Sequence, residues 1–324
     1  MRNVYFTSLL MLCMSVHVKA GDWMRRLPDN LFVSQVSIPG THDAATGNGG
    51  DITMPFSQCQ DIDVATQWSI GIRAFDFRPK VKDDYLNINH GITETNLRFD
   101  DALYLLRDSL KEHPSEFAVI HCLYAQNFDG DKEKYETMLR ELLSREDLKD
   151  YFVPFRRDLT VGDMRGKILL LSRDQYANKP ITGGFFQSWC GRLDWNAQSS
   201  CSIIGESAAS DYKSPLWVQD YANTKDSEGG VAKKVSAVTE MLDHSTKHVT
   251  KDESDVVWVF NFASAYPGGI STANGYRENA TYTNAAIIEY LQTHEAGPTG
   301  VILMDYCVDR SPNEEDGKYL TRGR

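Results

Sequence analysis

The stretch FVSQVSIPGTHD, residues 32–43, runs from an apolar, β-branched strand candidate into a turn carrying His42 and Asp43, and the same change recurs down the chain. Strand candidates at Phe32–Ile38, Ile72–Phe77, Tyr85–Ile88, Phe117–Leu123, Lys167–Leu171, Leu216–Val218, Val256–Phe262 and Val301–Met304 lead into SIPGTHD, FDFRP, NHG, HCLY, LLSRD, VQDY, FNFAS and LMDY. Short apolar runs bounded by polar residues fit strands buried on both faces. Polar, helix-compatible segments lie between most of them, at Phe99–Glu112, Asp131–Ser144, Gly230–Lys247 and Asn284–Thr293. This alternation predicts a parallel sheet covered by helices. If the strands close on themselves, their ionisable C-terminal ends share one face, where barrels of this kind carry their chemistry. The link from Phe77 to Tyr85 is too short for a crossover helix, so the expected fold is an α/β, TIM-type barrel that is irregular on that side.

The 324 residues are 41% hydrophobic and 24% charged, which excludes a disordered or fibrous chain. No Pro/Gly/Ser-rich linker or fixed-period repeat divides it, so one domain is expected. Residues 1–20 have the pattern of an export signal: Arg2 at the start, a mostly apolar Val4–Val18, and Val18-Lys19-Ala20 at the cleavage position. Ser8, Ser15, His17 and Lys19 break that run short of a membrane-spanning length. A barrel of residues 21–324, secreted or periplasmic, is the expectation. A formal charge of −11 argues against nucleic acid as a partner and for membrane contact that is transient and apolar. Beyond Cys13 in the leader, Cys59, Cys122, Cys190, Cys201 and Cys307 are odd in number and lack a metal-ligand spacing. Cys190 and Cys201 flank one loop and are candidates for a disulfide, whereas Cys122 and Cys307 lie in apolar runs as buried thiols.

Four segments carry a resemblance: SIPGTHDAATG at Ser37–Gly47, GIRAFDFRP at Gly71–Pro79, the pair His90-Gly91, and GVILMDY at Gly300–Tyr306. In order and spacing the chain resembles bacterial-type phosphatidylinositol-specific phospholipase C, and RGKILLLSRD and VQDY extend the likeness over nearly the whole mature sequence. The resemblance implies a distorted barrel and a monomer that needs no cofactor and no metal. Its substrate would be phosphatidylinositol or the glycosylated form of that lipid, cleaved at a membrane surface to diacylglycerol and inositol 1,2-cyclic phosphate. It implies His42 as general base held by Asp305, His90 as general acid partnered by Asp43, and Arg78 on the phosphate oxygens. Tethering the inositol 2-hydroxyl beside the phosphate makes proton removal the main catalytic demand. Metal-dependent relatives place acidic calcium ligands where this chain has Asp76-Phe77-Arg78, and a guanidinium cannot ligate calcium.

For the head group the resemblance points to Arg173, Asp220 and, as a stacking face, Tyr221. A lysine that bacterial members carry after the fourth strand has no counterpart at Tyr124-Ala125-Gln126. His121, ending an apolar run, reads as structural. His244 and His248, four apart on a helix, lack a third ligand and read as a solvated face. Phe185, Phe186, Trp189 and Trp195, or Met54 and Phe56, could dip into a bilayer or pack in the core. Two rivals stand beside the main reading: a glycerophosphodiester-type phosphodiesterase, and a barrel that binds phosphoinositide or glycan without turnover.

Overall fold

The computed structural model describes residues 20–125, 131–187, 189, 202–222, 230–265 and 275–308. The expected leader before residue 20, the Cys190–Cys201 pairing and Trp195 lie outside the described residues.

Nine strands close a barrel in the order β1 (Ile38–Thr41), β12 (Val301–Met304), β11 (Trp258–Phe262), β10 (Lys213–Gln219), β9 (Ser202–Ser207), β8 (Gly184–Phe186), β7 (Ile168–Ser172), β6 (Ala118–Cys122), β2 (Ala74–Phe77) and back to β1. Every neighbouring pair is parallel except those made by β9, which runs against β8 and β10. The expected irregularity sits where Phe77 leads to Tyr85. There β3 (Pro79–Lys82), β4 (Tyr85–His90) and β5 (Thr93–Arg98) form a separate antiparallel sheet. Tyr85–Ile88 is therefore not a barrel strand. The reason is local: Asp83, between β3 and β4, adopts φ of 51°, the left-handed conformation that tight hairpins demand and that Asp tolerates. Two barrel strands without a strong apolar pattern, the three-residue β8 and the glycine-containing β9, take up the closure instead.

Other boundaries shift for similar reasons. In the expected first strand, Phe32 makes only an isolated bridge to Thr160, Val33–Gln35 forms a 3-10 turn, and barrel pairing begins at Ile38. Helices α1 (Val64–Ser69), α2 (Phe99–Glu112), α3 (Lys132–Leu143), α4 (Val161–Met164), α5 (Gly230–Thr246) and α6 (Gly275–Thr293) surround the barrel, α6 starting nine residues earlier than expected. The Asp63 side chain caps α1 by accepting from the Thr66 N–H, and Thr160 with Asp163 forms a capping box on α4.

Alternation along β6 shows how the layers form. Ala118, Ile120 and Cys122 pack outward with Leu103, Leu106 of α2 and Leu139 of α3. Val119 joins the inner cluster with Leu171, Phe186, Phe260 and Leu303, and His121 lies with it beneath the mouth. Strand β1 needs glycine at position 40, because a Cβ there would stand 2.8 Å from the Ala74 Cβ and 2.9 Å from the Ile302 carbonyl oxygen.

The barrel floor is closed by a saturated ion pair. Arg73, fully buried, pairs with Glu116 at 2.9 Å, stacks 3.8 Å over the Trp68 ring, and donates to the carbonyls of Trp68, Ile72 and Gly21.

Candidate active site

The C-terminal strand ends converge as expected. β1 delivers His42, β12 delivers Asp305, and β2 delivers Arg78. His90 comes from the end of β4, outside the barrel, so the side sheet is what brings the second histidine over the mouth. The two imidazole centroids are 6.3 Å apart.

Hydrogen bonding sets the state of each ring. His42 Nδ1 lies 2.8 Å from Asp305 Oδ1, and Arg78 Nη2 lies 2.6 Å from His42 Nε2. A guanidinium can only donate, so Nε2 presents its lone pair and Nδ1 carries the proton toward Asp305. Burial acts to lower the pKa of His42, but the charges of Asp43 and Asp305 outweigh it and raise the group above its ordinary 6.5. His90 donates from Nδ1 to the Ser57 carbonyl at 2.6 Å, which leaves Nε2 facing the cavity. Burial dominates here and lowers the His90 pKa, with Asp43 opposing.

Asp43 departs from its expected place as partner of His90 alone. Its Oδ2 is 3.2 Å from His42 Nε2 and 3.5 Å from His90 Nε2, and its Oδ1 is 3.0 Å from Arg78 Nε. The oxygen between the two histidines is buried and accepts no hydrogen bond among the described residues. It can therefore receive a proton-bearing nitrogen from either ring. Asp43 holds φ of 42°, the left-handed region that Asp tolerates, and its neighbours fix it there. Asp76 supplies part of that constraint: its Oδ2 accepts from the Asp43 N–H and from Arg78, each at 3.1 Å, while its Oδ1 meets His121 Nδ1 at 2.6 Å. Although burial works the other way, Arg78 and His121 hold the Asp76 carboxyl well below the usual range. His121 is thus a buried support under the site, as its position in the sequence suggested.

His42, Asp305 and Cys59, and likewise Asp43, Cys59 and His90 or His42, Asp43 and Asp76, are close enough to group around a cation. Of the hard oxygen donors in these groups, Asp43 Oδ1 and Asp76 Oδ2 are ion-paired with the Arg78 guanidinium. Arg78 puts a fixed positive charge beside these groups.

A cavity of about 760 Å³ joins His42, Arg78 and His90 to Arg173, Asp220 and Trp189. Arg173 Nη1 and the Trp189 indole N–H both reach Asp220 Oδ2, at 3.1 and 2.7 Å, and the Arg173 guanidinium lies 4.2 Å over the Trp189 ring. The expected stacking face is displaced. Tyr221 is buried, with its N–H on the Gln219 side chain, and is not among the cavity-lining residues; Trp189 provides the aromatic wall. Phe185 and Phe186 are buried and Met54 is nearly so, which takes them from the list of bilayer contacts, while Phe56 is half exposed.

Three neighbours escaped sequence reasoning. Tyr276, in the first turn of α6, puts its hydroxyl 3.5 Å from His90 Nε2. Cys59 Sγ is 3.8 Å from His90 Nδ1, and its burial pushes the thiol pKa well up. Gln60 donates to the carbonyls of His42 and Met304, tying β1 to β12. None of these ends a strand. The only signal was the polar run Ser57-Gln58-Cys59-Gln60 after β1.

A closed α/β barrel with two histidines, three carboxylates and an arginine at its C-terminal mouth is the frame of an acid–base barrel enzyme. No family model matches the chain. It is 34% identical over 173 residues to the 1-phosphatidylinositol phosphodiesterase of Listeria monocytogenes, a match that spans about half of either protein (51% and 52%). To the 1-phosphatidylinositol phosphodiesterase of Staphylococcus aureus strain Newman it is 26% identical over 307 residues, 91% of both chains. Among solved structures, a Staphylococcus aureus phosphatidylinositol-specific phospholipase C superposes with a TM-score of 0.72 at 22% identity, covering 92% of this chain and 95% of the other. The Listeria monocytogenes phospholipase gives 0.65 at 25% identity, covering 89% and 94%. In sequence and in fold the chain is similar to bacterial phosphatidylinositol-specific phospholipases C.

Proposed function

We propose that this protein cleaves phosphatidylinositol to diacylglycerol and inositol 1,2-cyclic phosphate, with His42 as general base, His90 as general acid and Arg78 in place of a metal. The observation that carries the reading is the Nε2 lone pair of His42, fixed by Asp305 behind the ring and presented at the cavity beside Arg78. His42 takes the proton of the inositol 2-hydroxyl, and the new Nε2–H turns to Asp43 Oδ2, whose acceptor capacity is unused. The 2-oxygen bonds to phosphorus, the bond to the glycerol oxygen breaks, and His90 returns a proton to that oxygen. Arg78 offsets the charge on the non-bridging oxygens, its own protonation made firmer by Asp43 and Asp76 despite its burial. Two carboxylates already face the one guanidinium, so a bound phosphodiester anion makes the site more negative and favours the imidazolium that His90 needs. Arg173, Asp220 and Trp189 hold the ring hydroxyls at the other end of the cavity.

Contact with the bilayer is brief and apolar in this account. Ile52, Phe56 and Ile92 are 92%, 50% and 67% exposed; Phe56 adjoins Ser57 and Ile92 lies two residues past His90. Among the described residues no helix is long and apolar enough to cross a membrane. Export through a cleaved leader and action as a monomer belong to the same proposal. A glycerophosphodiester substrate is the weaker alternative, because that chemistry leans on acid clusters around a metal and here two of the acids are bound to Arg78. EDTA-treated enzyme on phosphatidylinositol vesicles is expected to keep full activity, with added calcium raising it less than about twofold. Activity lost in EDTA and restored by calcium would overturn the metal-free reading.

A further inference from the structure

Lys234, in the second turn of α5, is fully buried, yet its ammonium points away from solvent into the barrel wall. It donates to Gln219 Oε1 at 3.2 Å and to the Phe262 carbonyl, the C-terminal residues of β10 and β11. Both acceptors already have another donor. Gln219 Oε1 accepts from the Tyr221 N–H at 2.7 Å, and the Phe262 carbonyl accepts from Gln219 Nε2 at 2.8 Å. Deleting the ammonium therefore leaves no acceptor orphaned. A buried cation whose hydrogen bonds are redundant costs stability rather than supplying it, and it stands directly under the site.

The same network pins the backbone on both sides of Asp220. Gln219 is anchored to Asn261 and Phe262, Asn261 donates to the Val238 carbonyl of α5, and Tyr221 is tied back to Gln219. Phe262 packs edge-on against His42 and Trp189, with centroids 6.4 and 5.8 Å away. The charged groups acting on the ammonium are Asp220, at the head-group end, and Asp305, behind the base. The side chains around it from β10 and β11, Gln219 and Asn261, are neutral, as are the buried polar residues Asn279 and Thr283 of α6, which packs alongside α5.

We propose that Lys234 is a positioning residue for substrate binding: its buried ammonium, held at the ends of β10 and β11, supplies a positive field that draws the Asp220 carboxylate into place for the head group. The inference rests on the functional reading above, which assigns Asp220 to the inositol ring. Burial, only partly countered by Asp220 and Asp305, pulls the Lys234 pKa down to about 7. The positive field is consequently present below that pH and fades as pH rises through it. Head-group affinity should weaken between pH 6 and 8 in wild type.

The test compares wild type with Lys234→Met, which keeps the volume of the side chain and removes its charge, and with Lys234→Gln. Measured are kcat and KM on phosphatidylinositol from pH 6 to 8, calorimetric binding of myo-inositol, and thermal unfolding. For Lys234→Met at pH 6, KM should rise about tenfold with kcat within about threefold, the scale for removing a buried charge that acts on a ligand-holding carboxylate. Inositol affinity should fall in parallel, the pH dependence of KM near 7 should vanish, and the unfolding temperature should hold or increase. A purely structural lysine predicts the reverse: a lowered unfolding temperature with KM and its pH profile unchanged in the folded protein, and that outcome overturns the proposal. Wild type that neither turns over phosphatidylinositol nor binds inositol would reject the functional reading itself, a result separable from any effect of the substitutions.

Discussion

Arg73 precedes strand β2 and Arg78 follows it, and both are buried or nearly so against carboxylates. At the floor, Arg73 meets Glu116, three carbonyls and the Trp68 ring, and nothing polar about it is left to bind a ligand. At the mouth, Arg78 lies 17% exposed on the cavity wall, shares one nitrogen between His42 and Asp76, and borders an Asp43 oxygen with no hydrogen bond of its own among the described residues. Saturation marks the first as structure and incompleteness marks the second as function. The same strand thus separates the two duties by its direction, as parallel barrels do.

Substituting the two arginines is the strongest way to break that contrast. Arg78→Ala should lower the kcat of the folded protein by about 10²- to 10³-fold, the scale for losing a charge-stabilising donor, and should also cost stability because Asp43 and Asp76 lose a counter-ion. Arg73→Ala should leave Glu116 buried without a counter-ion, costing about 3–5 kcal/mol in chemical unfolding, while the folded fraction retains its specific activity. Equal losses of activity and stability in both variants would dissolve the distinction.

Asp305→Asn sharpens the mouth side of the comparison. The carboxylate favours the imidazolium of His42, so its loss should lower the His42 pKa, read from the imidazole proton resonances against pH. Because an amide can also turn an N–H toward Nδ1 and so favour the wrong tautomer, kcat should drop about 10²-fold even at a pH where more of the ring is neutral. An unmoved titration would mean that Asp305 does not act on His42. The smallest effect is expected at the rim: Ile52→Ser/Phe56→Ser/Ile92→Ser should weaken sedimentation with phosphatidylinositol vesicles about tenfold, from the apolar area no longer buried in the interface. Turnover of a water-soluble, short-chain substrate should be unaffected.

How much of this was legible in the chain follows from how each residue is placed. His42, Arg78, Asp305, Arg173 and Asp220 each follow an apolar run, and a strand fixes both depth and direction, so a linear pattern sufficed. Trp189, Cys59, Gln60 and Tyr276 reach the site from loops or a helix start, where no period records which side chain turns inward. Tyr221 shows the converse: one residue past a strand end, its backbone bends back to Gln219 and carries the ring into the core. The side sheet was hidden because Tyr85–Ile88 has the apolar character of a barrel strand, and only the Asp83-Asp84 turn before it distinguishes the two.

The central claim is that His42, poised by Asp305 and Arg78, drives attack of the 2-hydroxyl without a metal. A phosphorus NMR time course on phosphatidylinositol in EDTA, with wild type and His42→Ala, tests it most directly. The account predicts a growing inositol 1,2-cyclic phosphate signal with wild type and a rate at least about 10³-fold lower with His42→Ala. A cyclic product formed equally fast by the variant, or direct release of a non-cyclic phosphate by wild type, would contradict it.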